Sequence, residues 1–163
     1  MAIDCYLKLS NGIKGESQDS AHKDWIDVMS WNWGMMQSGT THMGGGAGGG
    51  KVSVQDINFT KFVDAATHDL IKRCCDGEHI DEGELVVRKA GGSNPLDYMI
   101  IKMKTIMITS YQTGGMKDGL DRVQESLTLN FREFTVTYTK QNDKGAPDGE
   151  STAGWNIAEG VEV

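Results

Sequence analysis

Apolar and polar residues alternate from Ala2 to Leu9, with Ile3, Cys5, Leu7 and Leu9 on one side and Asp4, Tyr6 and Lys8 on the other. That two-residue period marks a strand with one buried face. Related patterns predict further strands near Trp25–Gln37, Val52–Lys61, Gly83–Lys89, Leu96–Tyr111 and Val123–Lys140. Between them lie turn and loop chemistries: Ser10-Asn11-Gly12, the polar stretch Gly15–Asp24, and Ala90-Gly91-Gly92-Ser93-Asn94-Pro95, which reads as a hairpin connection. One helix is predicted, with Thr67 as N-cap, His68–Asp76 as body and Gly77 as the residue that ends it. Leu70, Ile71 and Cys74 form its apolar face, while Lys72 and Arg73 suit the negative end of its dipole. Residues 141–152 read as a polar C-terminal loop, followed by a short strand at Trp155-Asn156-Ile157.

The strand patterns share a second feature: the apolar parity slips by one residue partway along. Ile26 and Val28 give way to Met29, Trp31, Trp33 and Met35. Val52 and Val54 give way to Ile57 and Phe59, and Met99, Ile101 and Met103 to Ile106 and Ile108. Leu127, Leu129 and Phe131 give way to Phe134, Val136 and Tyr138. A one-residue slip sends side chains to the opposite face, so each marks a bulge or bend. Four such strands predict a mainly β chain that curls into a closed or nearly closed small β-barrel, made of two packed antiparallel sheets with the short helix alongside.

The 163 residues fit one domain, residues 1–163. Glycine is abundant at 21 and proline scarce at 2, which favours strands joined by turns over a proline-rich linker. Lys and Arg number 16 against 23 Asp and Glu, a formal charge of −7. No basic stripe is present, which argues against nucleic acid as a partner, and no apolar run reaches the ~18–20 residues of a membrane helix. Cys5, Cys74 and Cys75 make an odd count, and neighbouring Cys74 and Cys75 cannot pair without strain, so a reduced, cytoplasmic chain is expected. The start, Met1-Ala2-Ile3-Asp4-Cys5-Tyr6, lacks the basic and apolar regions of a secretory signal.

Seven of the 21 glycines fall in Ser38-Gly39-Thr40-Thr41-His42-Met43-Gly44-Gly45-Gly46-Ala47-Gly48-Gly49-Gly50. Gly45-x4-Gly50-Lys51 imitates a phosphate loop, yet Val52 stands where Ser or Thr must bind Mg²⁺, and a β pattern follows where a helix is required. The glycines instead imply a flexible arm that needs something to hold it. Cys74, Cys75 and His79 do not have the spacing of a zinc site. The four histidines (His22, His42, His68 and His79) are scattered through polar loops or a helix start, where a solvated imidazole is ordinary. No nucleophile elbow, zincin motif or Cys–His pair is present, so no catalytic residue, cofactor or metal is expected. Trp31 and Trp33 alternate with Asn32, which places the indoles in the core and Asn32 on the outer face.

Several collinear blocks are similar to the Hcp family, the haemolysin-coregulated tube proteins of bacterial type VI secretion. They are Ile13-Lys14-Gly15-Glu16-Ser17, Ile26-Asp27-Val28, Trp31-x-Trp33-Gly34-Met35, His42-Met43 before the glycines, Val54-Gln55-Asp56, Phe59-Thr60-Lys61, Val87-Arg88-Lys89-Ala90-Gly91-Gly92, Leu127-Thr128-Leu129-Asn130-Phe131 and Gly154-Trp155-Asn156-Ile157. The resemblance covers essentially the whole chain. It implies a structural subunit: six copies close into a ring, rings stack into a tube inside a contractile sheath, and the tube is expelled behind a spike. Export without a signal peptide follows. The implied partners are further copies of the chain, spike, sheath and baseplate components, and effector proteins carried in the lumen. By this resemblance Ser38–Gly50 is an assembly element and Asn32 faces the lumen. One departure is Thr67-His68 at the helix start, where family members often have proline; no fused toxin domain is expected at this length. The residues alone leave open a monomeric β-barrel that binds a small ligand or an effector, and an unrecognised hydrolase or metal enzyme using His42, Cys74 and His79.

Overall fold

A computed structural model of the protein describes residues 3–42, 44–45, 49–89, 94–119 and 121–163. In chain order the strands are β1 (Ile3–Leu9), β2 (Ile26–Val28), β3 (Ser30–Asn32), β4 (Met35–Met36), β5 (Ser53–Val54), β6 (Ile57–Phe62), β7 (Ile80–Lys89), β8 (Leu96–Gly114), β9 (Gln124–Gln141), β10 (Pro147–Asn156) and β11 (Val161–Glu162). The helix α1 (Thr67–Asp76) lies between β6 and β7 and packs against β8. All pairings are antiparallel. The chain is mainly β, as its alternation predicts.

The predicted strand Trp25–Gln37 is three short strands, and its breaks explain the parity slip. β2 pairs with β1, β3 pairs with β6, and β4 pairs with β5. At the first break the amide of Met29 already donates to the carbonyl of Thr60 on β6, at 2.8 Å. Pairings therefore run β1–β7–β8–β9–β6 and return to β1 through residues 26–32, which serve β1 with one half and β6 with the other. β9 is long enough to hold β6 on its first half and β10 on its second, both opposite β8.

The other slips have equally local causes. In β8 the change from Met103 to Ile106 falls at Thr105, whose φ is 54°, and a bulge lies between Ile108 and Ser110. A residue of positive φ inside a strand rotates the side chains that follow it. In β9 Phe131 and Phe134 are both buried despite opposite parity, and Trp33 bridges them with ring centroids 6.0 and 4.9 Å away. Its indole N–H donates to the carbonyl of Gln55 at 2.9 Å. Leu7, Leu9, Ile57, Phe59, Ile101, Ile106, Leu127 and Leu129 fill the same core.

Several expectations need correction. Ile3 and Met29 are exposed. Thr67 is the first helical residue, behind Ala66 at the cap position, which has no side-chain capping bond. On α1 Leu70 is buried and Cys74 partly so, but Ile71 faces solvent, because a helix lying on a sheet buries only one stripe. Gly77 ends the helix as predicted, with φ 70° and its N–H on the carbonyl of Arg73. The segment 141–152 is not a loop throughout: after a turn at 142–146, β10 begins at Pro147 and pairs with β9. Its first residues are exposed, so backbone pairing supplies the order and no apolar alternation reports it. Within the predicted hairpin connection, residues 90–93 lie outside the described set; Lys89 and Leu96 are paired on either side.

Candidate functional site: an arm, two unlike surfaces and two buried ionic clusters

The glycine-rich arm leaves the body through β4 and β5, which form a separate two-stranded sheet. Met35, Met36 and the described arm residues 38–42, 44–45 and 49–50 are exposed. Met43, Gly46, Ala47 and Gly48 lie outside the described residues. At the arm's base a groove of roughly 770 Å³ runs between β5 and the β9–β10 pair, lined by Val52, Val54, Phe134, Val136 and Trp155 among others.

Asn32 is exposed on β3, and register shows what surrounds it. Across β3, β6, β9 and β8 one row reads Asn32, Asn58, Thr128 and Ser110, and the next reads Ser30, Thr60, Ser126 and Gln112. All eight side chains are polar and uncharged. Beside the first row the Asp56 carboxylate accepts from the Thr109 hydroxyl at 2.7 Å, itself 2.6 Å from that of Thr128, and from the Asn130 amide at 2.9 Å. The outer face of β1, β7 and the other halves of β8 and β9 is built differently. There Glu84 lies between Lys8 and Lys102, while Lys104 lies between Glu82 and Glu133. These residues line a shallow depression of roughly 550 Å³. The two faces share β8 and β9 but present opposite chemistry.

Two ionic clusters inside the molecule escaped the sequence reading. Lys61 points inward with Ile57 and Phe59, and Glu125 points inward with Leu127 and Leu129; they are direct cross-strand partners. The Lys61 ammonium meets Glu125 Oε1 and lies 2.7 Å from Asp64 Oδ1, and it donates to the carbonyl of Phe62 at 3.2 Å. Glu125 also accepts from the Thr67 hydroxyl at 2.7 Å and the Tyr111 hydroxyl at 2.5 Å. Burial pushes the Glu125 carboxyl up, and the hydrogen bonds from Lys61, Tyr111 and Thr67 outweigh it, leaving it below the usual range. Burial and the facing Glu125 push the Tyr111 phenol up to about 12. The cluster ties the start of α1 to three strands.

His22, expected in solvent, is buried. Its ring stacks on Tyr6 at 4.5 Å and meets Trp25 edge-on at 4.7 Å. Nδ1 lies 2.7 Å from Asp19 Oδ2 and Nε2 lies 3.0 Å from Asp97 Oδ2. Arg88 donates to the same Asp19 oxygen at 2.8 Å. The hydrogen bond from His22, with the Arg88 charge and the Ala21 amide, holds the Asp19 carboxyl below its ordinary range against the opposing effect of burial. The cluster fastens the loop 15–24 to β1, β7 and β8. Gly15 allows the close approach: a Cβ there would sit 2.4 Å from the carbonyl oxygen of Trp25.

The other candidates are not brought together into a centre. His42, Cys75 and His79 are exposed and Cys74 is half-buried on α1. Among the described residues no three His, Cys, Asp or Glu side chains gather as a metal site, and no helix is long and apolar enough to cross a membrane.

Residues 6–138 match the family described as type VI secretion system effector, Hcp. The chain is 47% identical over 164 residues to protein hcp1 of Pseudomonas aeruginosa, with the whole of both chains covered. A solved structure described as a type six secretion system protein superposes with a TM-score of 0.93 at 30% identity, covering 99% of this chain and 100% of that one. Hcp1 from Salmonella typhimurium superposes with a TM-score of 0.81 at 35% identity, with both chains fully covered. The chain belongs to the Hcp family of type VI secretion proteins.

Proposed function

We propose that the protein is the structural subunit of a type VI secretion tube: six copies close into a ring, rings stack into a conduit, and the assembly leaves the cell through the system it builds. The observation that carries this reading is the match to hcp1 at 47% identity over the full length of both chains. The arm Ser38–Gly50 serves as the element that bridges neighbouring subunits or rings, and a separate sheet carrying exposed methionines at its root supports that role. Asn32 faces the lumen, where effector proteins travel. Spike, sheath and baseplate components are the remaining partners, and no catalytic role, cofactor or nucleic acid enters the proposal.

Light scattering on the purified protein, followed by negative-stain imaging, tests it. The expected species has about six subunit masses and a central pore. A particle of one subunit mass at every concentration would overturn the reading in favour of a monomeric binding module. Deleting residues 44–50 is expected to leave the body folded and shorten or abolish stacked rings, because those glycines contribute reach and not core packing.

A further inference from the structure

Among the described residues, the β4–β5 sheet at the root of the arm pairs with no strand of the main sheet, so strand pairing does not fix its direction. Three other contacts do. The Trp33 indole lies between Phe131 and Phe134 and donates to the carbonyl of Gln55 at 2.9 Å. The Gln55 amide donates to the carbonyl of Gly34 at 2.9 Å, which closes the root where β4 and β5 meet the body. The next residue, Asp56, uses both of its carboxylate oxygens. Oδ2 accepts from the Thr109 hydroxyl of β8 at 2.7 Å and Oδ1 from the Asn130 amide of β9 at 2.9 Å. Two separate bonds to two neighbouring strands fix the carboxylate plane, and with it the backbone that carries it.

That backbone leads directly into the arm. Val54, two residues earlier, pairs with Met35, and Met36 pairs with Ser53. Met35 and Met36 are 46% and 67% exposed, and Ser38 starts the arm just beyond them. Methionine is enriched at the centres of protein interfaces. An interface element held in its bound direction before contact loses less freedom on binding, so it binds more tightly.

We propose that Asp56 is the positioning residue of the arm. By holding the root to β8 and β9 at once, it sets the direction in which Met35, Met36 and Ser38–Gly50 leave the body, and so the affinity of one copy for the next. The affinity half rests on the tube-subunit reading, and the positioning half does not.

Amide hydrogen exchange of the full chain, read by mass spectrometry, tests the positioning. In Asp56→Ala the segments 33–37 and 53–56 are expected to exchange about tenfold faster, with β7 and the first half of β8 unchanged. Asp56→Asn should stay within about twofold of wild type, because the Asn130 amide can turn round and offer its carbonyl to the new donor. Asn130→Ala should speed the same segments, and adding it to Asp56→Ala should bring no further change. Light scattering over a dilution series reads the affinity. Asp56→Ala should need about tenfold more protein to assemble, and Asp56→Asn should match wild type. Unchanged exchange at the root, equal acceleration throughout the sheet, or Asp56→Asn as damaging as Asp56→Ala would overturn the positioning role. A loosened root with unchanged assembly would overturn the affinity half. A wild type that never assembles would sink the tube reading itself, while the exchange result would still decide the role of Asp56.

Discussion

The Lys61 and His22 clusters both bury charge, and they differ in what the charge sits on. Lys61 and Glu125 are paired residues of adjacent strands, so the sheet itself sets their separation. His22 hangs from a loop and is placed by side chains from two other strands, Arg88 on β7 and Asp97 on β8, acting with Asp19. The first cluster is a lysine ammonium in a cage of acceptors with no exposure to solvent. The second is built on an imidazole whose two nitrogens face two carboxylates. One fastens a helix to the sheet and the other fastens a loop. Their failures should therefore differ in size, cooperativity and pH dependence.

The largest effect is expected from Lys61→Ala. It leaves Glu125 and Asp64 buried without their counter-charge, and breaking a buried pair from one side costs about 3–5 kcal/mol. Urea unfolding at fixed protein concentration should show the loss across the whole domain, because the cage joins β6, β8, β9 and α1. Replacing both strand partners, Lys61→Met with Glu125→Leu, should cost clearly less than Lys61→Ala alone, since one carboxylate instead of two then loses the ammonium, and that one, Asp64, keeps the Ala66 amide. If the single and double variants were equally unstable, packing and not charge would be the basis of the cluster.

His22→Ala is expected to cost about 2–3 kcal/mol, the scale of hydrogen bonds to charged groups, with protease sensitivity concentrated in the loop 15–24. Asp19 adds an acid signature. Its carboxyl is depressed in the folded state, so its contribution is present above the unfolded value of about 4 and is lost as pH falls through the folded value. Asp19→Asn should flatten that part of the stability profile. An unchanged acid limb in Asp19→Asn would show that other carboxylates govern it.

These clusters also show where a single sequence stops being readable. Parity already placed Lys61 with Ile57 and Phe59, and Glu125 with Leu127 and Leu129, so two inward charges of opposite sign were available. Their meeting required the β6–β9 register, which depends on strand partners far apart in the chain. His22 carried a weaker signal, only Asp19 three residues before it; Asp97 is 75 residues away. The parity slips were legible because bends leave a mark in apolar spacing. β10 was not, because Pro147–Ala153 is exposed and orders by backbone bonds to β9. The neutral face was half legible: Asn32 pointed outward, but its seven companions are neighbours only after four strands are aligned.

The smallest effect, and the finest division of the Lys61 cage, belongs to Tyr111. Its hydroxyl donates to Glu125 Oε2 at 2.5 Å while Lys61 and Thr67 hold Oε1. Tyr111→Phe therefore removes one of several donors and leaves the ammonium in place, so the loss at neutral pH should be about 1 kcal/mol. At high pH the sign is distinctive. The phenol's folded value is raised to about 12 against about 10 in the unfolded chain, so its stabilisation is complete below pH ~10 and disappears as pH rises towards ~12. Wild type should lose stability across that window, and Tyr111→Phe should lack that component and approach or cross it at the upper end. Urea midpoints measured at intervals between pH ~8 and ~12 decide the matter, because parallel curves would mean that the phenol proton is not part of the cage.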